Sequence, residues 1–243
     1  MITHMKFSTM GLIVASLAGA GGILAGPGVR LGWWHYSFGL KMVLGAAICA
    51  LISIAISLIA VFTENESGSR NRLTLPVLGI VMGLAVSAVP LNWIITARSA
   101  PRIHDITTDM TDPPRYVAIL AVRVGATNPV EYGGLSISKQ QTASYPEVAP
   151  IMLPLPVEKA YERAMDAAHR MRWTVVDGNP HEGRIEATDT TFWFGFKDDI
   201  VVRIRPEENG SRVDVRSLSR VGLGDLGTNA KRIVSYLTTL KSS

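Results

Sequence analysis

The first hundred residues contain three long apolar runs separated by short polar loops. The runs are about Thr9–Gly26, Phe38–Phe62 and Leu73–Ile95, and Lys41 is the only charged residue within them. Each run approaches the roughly 20 apolar residues that cross a bilayer as a helix. The pattern predicts an anchor of three transmembrane helices over residues 1–98. One extramembrane domain follows over residues 99–243.

Two features of the apolar runs favour an anchor over a transporter. No Asp, Glu, Lys or Arg lies in mid-membrane, where a transport pathway or proton relay usually needs ionisable groups. Small residues recur at four-residue spacing, which predicts that the three helices pack closely. The stripes are Gly11, Ala15 and Gly19; Ala18, Gly22 and Gly26; and Gly79, Gly83 and Ser87.

The extramembrane domain changes character at about residue 150. Residues 100–150 are rich in Pro, Thr, Asp and Gly and predict an irregular segment with turns and at most short strands. After it, hydrophobic periodicity predicts helices over Val157–Met171 and Leu226–Leu240, with Asp225 as N-cap. Between them alternation predicts strands over Arg172–Asp177, Arg184–Thr190, Asp199–Arg205 and Arg212–Ser219, with a further strand near Glu147–Leu153.

This order of elements predicts an α+β domain, an antiparallel sheet with two helices packed on one face. Isoleucines, valines and alanines alternate with charged residues along the strands, so the apolar side chains would face the helices. We interpret the opposite face as a solvated surface with cross-strand ion pairs, or alternatively as a partner-binding platform. Its residues are Arg184, Glu186, Arg203, Arg205, Arg212, Asp214 and Arg216.

Charge argues against a nucleic-acid partner. The chain has a formal net charge of +4 and a pI near 9.3. Up to Arg98, however, 6 basic residues face 2 acidic ones, and beyond it 18 face 18. The basic excess belongs to the loops of the membrane part, and the domain is neutral.

The best case for an enzyme is a group of acidic residues with one histidine. Carboxylates and imidazole can bind a metal or act as acid and base. Adjacent residues do not by themselves converge on one ligand, and no metal-binding spacing supports the group. We therefore predict no catalytic residue, no metal site and no cofactor. The members of this acidic/His cluster are His104, Asp105, Asp109, Asp198 and Asp199.

A glycine-rich turn, VGLGDLG, precedes the last helix and supports two interpretations. Arginine side chains and helix N–H groups could hold a phosphate or carboxylate. Alternatively, the glycines supply positive φ angles for a structural corner in which Arg220 pairs with Asp225, and we favour this interpretation. The residues in question are Arg216, Arg220, Asp225 and Asn229. A separate aromatic loop, Phe192–Phe196, is expected to cap a core, or alternatively to enter lipid or hold an apolar ligand.

Several motifs together resemble the DUF1499 family, whose function is uncharacterised. They are IHDITTD at 103–109 with Pro113-Pro114, the pairs Tyr145-Pro146 and Ala149-Pro150, FGFKDDIVVRI at 194–204, and SRVGLGDLGTNAKRI at 219–233. The resemblance covers residues 100–243. Family members are bacterial envelope or plastid proteins, which implies a domain outside the cytoplasm. The basic residues that flank the spans leave this orientation open.

These observations lead to one functional expectation and two alternatives. We expect a non-catalytic, multi-pass protein of the bacterial inner membrane whose periplasmic domain is a binding or scaffold module. Its partners would be membrane lipid and an envelope protein. The alternatives are a metal- or acid/base-dependent, hydrolase-like enzyme and a lipid- or amphiphile-binding domain.

Overall fold

The computed structural model describes residues 6–64 and 73–242. The chain divides into two compact units. The first comprises Met1–Thr96 with Phe192–Gly195, and the second comprises Ala97–Thr191 with Phe196–Ser243.

Three helices form the first unit: α1 (Phe7–Arg30), α2 (Tyr36–Glu64) and α3 (Thr74–Ser99). Each is long and apolar enough to cross a membrane, which confirms the prediction of three helices of that length and composition. Each helix is longer than its apolar run because the helical conformation continues into the flanking residues.

Small residues bring the three helices together. The Ser53 hydroxyl on α2 donates to the Gly11 carbonyl on α1 at 3.0 Å and lies 3.4 Å from the Gly79 carbonyl on α3. A Cβ added at Gly11 or Gly79 would lie 2.3 Å from the Ser57 hydroxyl oxygen. These glycines allow the close packing that the small-residue stripes predict.

Residues Phe192–Gly195 of the aromatic loop belong to the first unit, and Phe196 belongs to the second. The Trp193 indole N–H donates to the Ile23 carbonyl at 3.2 Å, and its ring lies 5.6 Å from that of Trp93. Phe192 is 92% exposed. The loop therefore contacts residues of the spans, where Phe194 is buried.

The second unit contains an antiparallel six-stranded sheet. Its main order is β1-β6-β5-β4-β3, and β2 pairs with the same edge of β6 as β1. The predicted sheet is confirmed, and β4 has the predicted bounds. The strands are β1 (Asp105–Thr107), β2 (Ile151–Leu153), β3 (Thr174–Asn179), β4 (Arg184–Thr190), β5 (Lys197–Glu207) and β6 (Gly210–Ser219).

Helices α5 (Val157–Arg170) and α6 (Thr228–Lys241) pack against the inner face of this sheet, as predicted. Helix α4 (Gly134–Ser144) and a 3₁₀ helix (Ala118–Val122) lie where we expected irregular chain. Helix α4 lacks an apolar stripe, since Gln141 is its one buried residue, and periodicity could not reveal it.

The inner face carries the hydrophobic core. Alternate residues of β4, β5 and β6 point toward the helices and are buried, as the alternation predicts. Trp173 stacks on Tyr236 with 4.7 Å between ring centroids, and the Tyr236 hydroxyl donates to the Ala164 carbonyl at 2.8 Å.

The outer face is covered, and the prediction that it is a solvated surface is wrong. Residues from 108 to 130 contact it, and Tyr116, Ile119, Val201 and Leu218 form a small second core there. None of the seven predicted polar residues is fully exposed, and three of them, Glu186, Asp214 and Arg216, are buried. These three charged residues can be buried because each is paired with a residue of opposite charge, as described below.

Candidate functional site

We call residues 108–130, which cover the outer face, the covering segment. The Glu186 carboxylate ties this segment to the sheet. Glu186 is fully buried on β4, and its oxygens accept the N–H groups of Val117, Ala118 and Ile119 at 2.9–3.1 Å. Arg184 donates to the same carboxylate. These three N–H groups begin the 3₁₀ helix and have no carbonyl partner within it, so the carboxylate satisfies them.

The Asp199 carboxylate is the centre of a second buried cluster. It accepts hydrogen bonds from Arg123 at 2.6 Å, from Arg220 at 2.8 and 2.9 Å and from the Thr188 hydroxyl at 2.9 Å. Arg220 also donates to the Val122 carbonyl at 2.8 Å. The predicted pairing of Arg220 with Asp225 is therefore wrong, because Asp199 on the neighbouring strand offers Arg220 two oxygens.

Asp105 and Arg216 form a third, bidentate pair. Arg216 Nε and Nη2 donate to the two Asp105 oxygens at 2.9 and 2.7 Å. The rings of Tyr116 and Tyr132 lie 5.0 and 5.7 Å from the guanidinium carbon. Burial raises the pKa of the Tyr132 phenol to about 12, and the nearby Asp105 charge adds to the rise. Asp105 and Arg216 are both buried, and Asp105 together with the Pro114 and Val130 carbonyls satisfies Arg216 without an anion.

Three arginines and three aspartates form a rim at one end of the outer face. Asp214 is fully buried, and Asp109 is mostly buried. Burial raises the pKa of the Asp109 carboxyl, but the N–H groups of Asp112 and Thr111 and the charges of Arg212 and Arg203 outweigh it, so the net pKa is lowered. The members of this arginine rim are Arg203, Arg205, Arg212, Asp109, Asp112 and Asp214.

A fourth cluster lies on the inner face, at the start of α6. Arg232 donates to Asp198 at 2.6 Å and to Asp189 at 2.8 Å. Asn229, fully buried, bridges the Ser217 and Ser219 hydroxyls and donates to the His104 carbonyl at 3.1 Å.

Asp225 closes the glycine-rich turn. Its carboxylate accepts the N–H groups of Gly227 and Asn229 at 2.9 and 2.8 Å, so it caps α6 although Gly227 occupies the N-cap position itself. Burial raises the pKa of the Asp225 carboxyl. The two N–H groups lower it and the Asp198 charge raises it, and the net pKa is raised. Gly227 has φ of 79°, which favours glycine there, as the structural-corner interpretation requires.

The acidic/His cluster of the sequence does not come together. Asp198 and Asp199 are consecutive on β5, so they face opposite sides of the sheet. Asp105 and Asp109 belong to separate ion-pair groups, and the exposed His104 ring approaches only the Leu223 carbonyl, at 3.4 Å. Among the described residues, no three His, Cys, Asp or Glu side chains are grouped for a metal ion.

Three residues that organise these clusters were not predicted from the sequence: Arg123, Asp189 and Arg232. Arg232 lies one turn after Asn229 on α6, so its position on the buried face was detectable. Arg123 lies in a segment without periodicity, and no local signal indicates its partner.

One open depression lies on the outer face beside the arginine rim. Its volume is about 420 Å³, within the range of small-molecule sites. Its floor includes Val117 and Val201, and its charged lining consists of Asp112, Arg115, Glu182, Arg184 and Arg203.

The fold and these clusters define a class of protein: an α+β domain attached to three apolar helices, with paired charges buried on both faces of its sheet. The model of the DUF1499 family, described as a protein of unknown function, matches residues 105–240. The match covers more than half of the chain, so the chain belongs to this family. A search of curated proteins finds no match.

Proposed function

We propose that the chain is a non-catalytic, membrane-anchored binding or scaffold module. The observation that supports this most is the use of the acidic residues in the family motifs. Asp105, Asp198 and Asp199 each hold an arginine in a buried ion pair, and Asp225 caps a helix. A general acid, base or metal ligand needs access to substrate, whereas these carboxylates tie chain segments to the two faces of the sheet.

The proposal includes a location. The three helices would cross the inner membrane of a bacterium, with residues 99–243 in the periplasm and an envelope protein as partner. The family resemblance supports this location, and long domains are translocated with little regard to their charge. Alkaline phosphatase fused after Ser243 should be active, and green fluorescent protein fused there should be dark. The reverse pattern would overturn the location.

The non-catalytic role is tested separately. Full-length protein in detergent would be assayed for hydrolysis of phosphate esters, carboxylic esters and peptides, with Asp198→Asn and Asp199→Asn as matched variants. We expect no turnover that either substitution abolishes in protein that is still folded. Turnover lost in a folded Asp198→Asn or Asp199→Asn variant would contradict the proposal and favour the hydrolase-like alternative.

A further inference from the structure

We infer that the depression beside the arginine rim binds a small oxyanion, a carboxylate or phosphate, that carries a short apolar group. This inference rests on the proposed binding function and names its ligand class. It uses a surface that the ion-pair clusters leave open. Three features of the lining carry it: an unpaired arginine, an incompletely bonded second arginine and an apolar floor.

Arg115 supplies the free charge. Its side chain is exposed, and it has no hydrogen-bond or ion-pair partner in residues 6–64 and 73–242. The two carboxylates in the lining are already engaged: Asp112 binds Arg203 and Arg205 at 3.1 and 3.0 Å, and Glu182 binds Arg184 at 2.9 Å. The positive charge of Arg115 is therefore available to a ligand, and its planar guanidinium suits the two oxygens of a carboxylate or phosphate.

Arg203, which also lines the depression, has one donor that is unsatisfied among the described residues. Its two terminal nitrogens bind Asp109, Asp112 and Asp214 at 3.0–3.2 Å. Its Nε atom is buried and has no acceptor within the described part of the chain. A buried donor without an acceptor is costly, so an acceptor that reached it would gain more than the same group at an exposed arginine.

The floor explains why the ligand should also be apolar in part. Val117 and Val201 both line the depression, and Val117 is 53% exposed whereas Val201 is fully buried. A bare anion would leave the exposed Val117 side chain uncovered, whereas a short alkyl group would remove it from water.

The test uses the full chain in phosphatidylcholine nanodiscs and isothermal titration calorimetry. The probes are butyl phosphate, butyrate, inorganic phosphate and butanol. We expect one of the two alkyl anions to bind and butanol not to bind. Arg115→Gln should weaken binding about tenfold or more, the loss of one charge-assisted contact. The matched control Arg102→Gln, which removes another exposed arginine of the domain, should leave the affinity unchanged.

Val117→Ser separates the apolar contact from the charge. It should lower the affinity for butyl phosphate a few-fold and leave the affinity for inorganic phosphate unchanged. Addition of phosphatidylglycerol vesicles distinguishes the sources of the anion: competition indicates a lipid headgroup, and its absence indicates a soluble ligand. Either result keeps the site.

The inference would be overturned if neither alkyl anion bound, or if wild type, Arg115→Gln and Arg102→Gln bound them equally. That outcome would leave the proposed membrane-anchored module intact. Release of inorganic phosphate from butyl phosphate, lost in Arg115→Gln, would instead support the site and overturn the non-catalytic role.

Discussion

The two faces of the sheet are buried to a similar degree by different means. On the inner face, Ile200 and its apolar neighbours pack against helices α5 and α6. On the outer face, Asp199, one residue earlier on β5, is equally buried but is surrounded by arginines. Apolar contacts tolerate small changes of shape, whereas a buried charge depends on a particular partner. The outer face therefore specifies where its covering segment lies, at the cost of desolvating many charges.

Changes of similar size at these two neighbours should show the largest contrast. Asp199→Asn keeps the shape but leaves Arg123 and Arg220 without a compensating charge, so we expect a loss of about 3 kcal/mol or more. Ile200→Val removes one buried methylene group and should cost about 1 kcal/mol. Urea unfolding of the full chain in detergent, followed by near-ultraviolet circular dichroism, measures both. Equal losses would mean that the outer face is not held by charge.

Arg220→Ala should have a smaller effect than Asp199→Asn. Asp199 keeps Arg123 and Thr188 as partners when Arg220 is removed, so we expect a loss of about 2 kcal/mol. The same urea titration, repeated with added phosphate, tests the anion-site interpretation of the glycine-rich turn. A variant as stable as wild type, together with phosphate stabilisation of wild type alone, would favour an anion site at Arg220.

Gly227→Ala should destabilise the corner before α6 by about 1–2 kcal/mol, because a side chain there would be strained at positive φ. Its Cβ would also lie 3.1 Å from the Tyr145 hydroxyl oxygen. Gly222, at φ of 97° with its nearest contact at 3.7 Å, is the control for strain without crowding. Thermal unfolding of both alanine variants would isolate the Tyr145 contact. A smaller loss of stability in Gly227→Ala than in Gly222→Ala would contradict a contribution from the Tyr145 contact.

The smallest expected effect is a difference in pH dependence between Asp109 and Asp225. The lowered pKa of Asp109 means that it stabilises the fold above the usual aspartate pKa of about 4, and that this contribution is lost as the pH falls through the lowered value. The raised pKa of Asp225 has the opposite sign: its contribution becomes more favourable as the pH falls through the raised value toward the usual one.

Asn substitutions test these signs through unfolding free energies between neutral and acidic pH. Asp109→Asn should reduce the loss of stability that wild type shows in acid. Asp225→Asn should remove the stabilisation that Asp225 contributes as the pH falls. Two variants with the pH profile of wild type would contradict both assignments.

The sequence predicted the inner half of the domain better than the outer half. Alternation along β4 and β5 placed Ile185, Val202 and their neighbours correctly on the inner face. A strand that packs one apolar face against helices has an apolar residue at every second position. The covering segment has no such period. It is held by Glu186, Asp199 and Arg216, whose partners in that segment lie more than 60 residues away and leave no local pattern.

The site followed the same rule. Gly227 as a positive-φ residue and Asp225 as a cap followed from local turn chemistry. To predict that Arg220 pairs with Asp199, one would have to know which strands are neighbours in the sheet. Charged residues on a strand were assigned to solvent because exposed sheets usually carry mixed charge, and their burial depended on a segment that looked irregular.

A double-mutant cycle on Asp105 and Arg216 tests the central claim, that the charges in the family motifs are structural, most directly. Unfolding free energies would be measured for the full chain, for Asp105→Leu, for Arg216→Met and for the double variant. We predict that each single change costs about 3 kcal/mol or more, because it leaves its partner buried and unpaired, and that the double variant recovers at least about 2 kcal/mol of the summed loss. Additive losses, with no recovery, would contradict the claim and would return both residues to the candidates for chemistry.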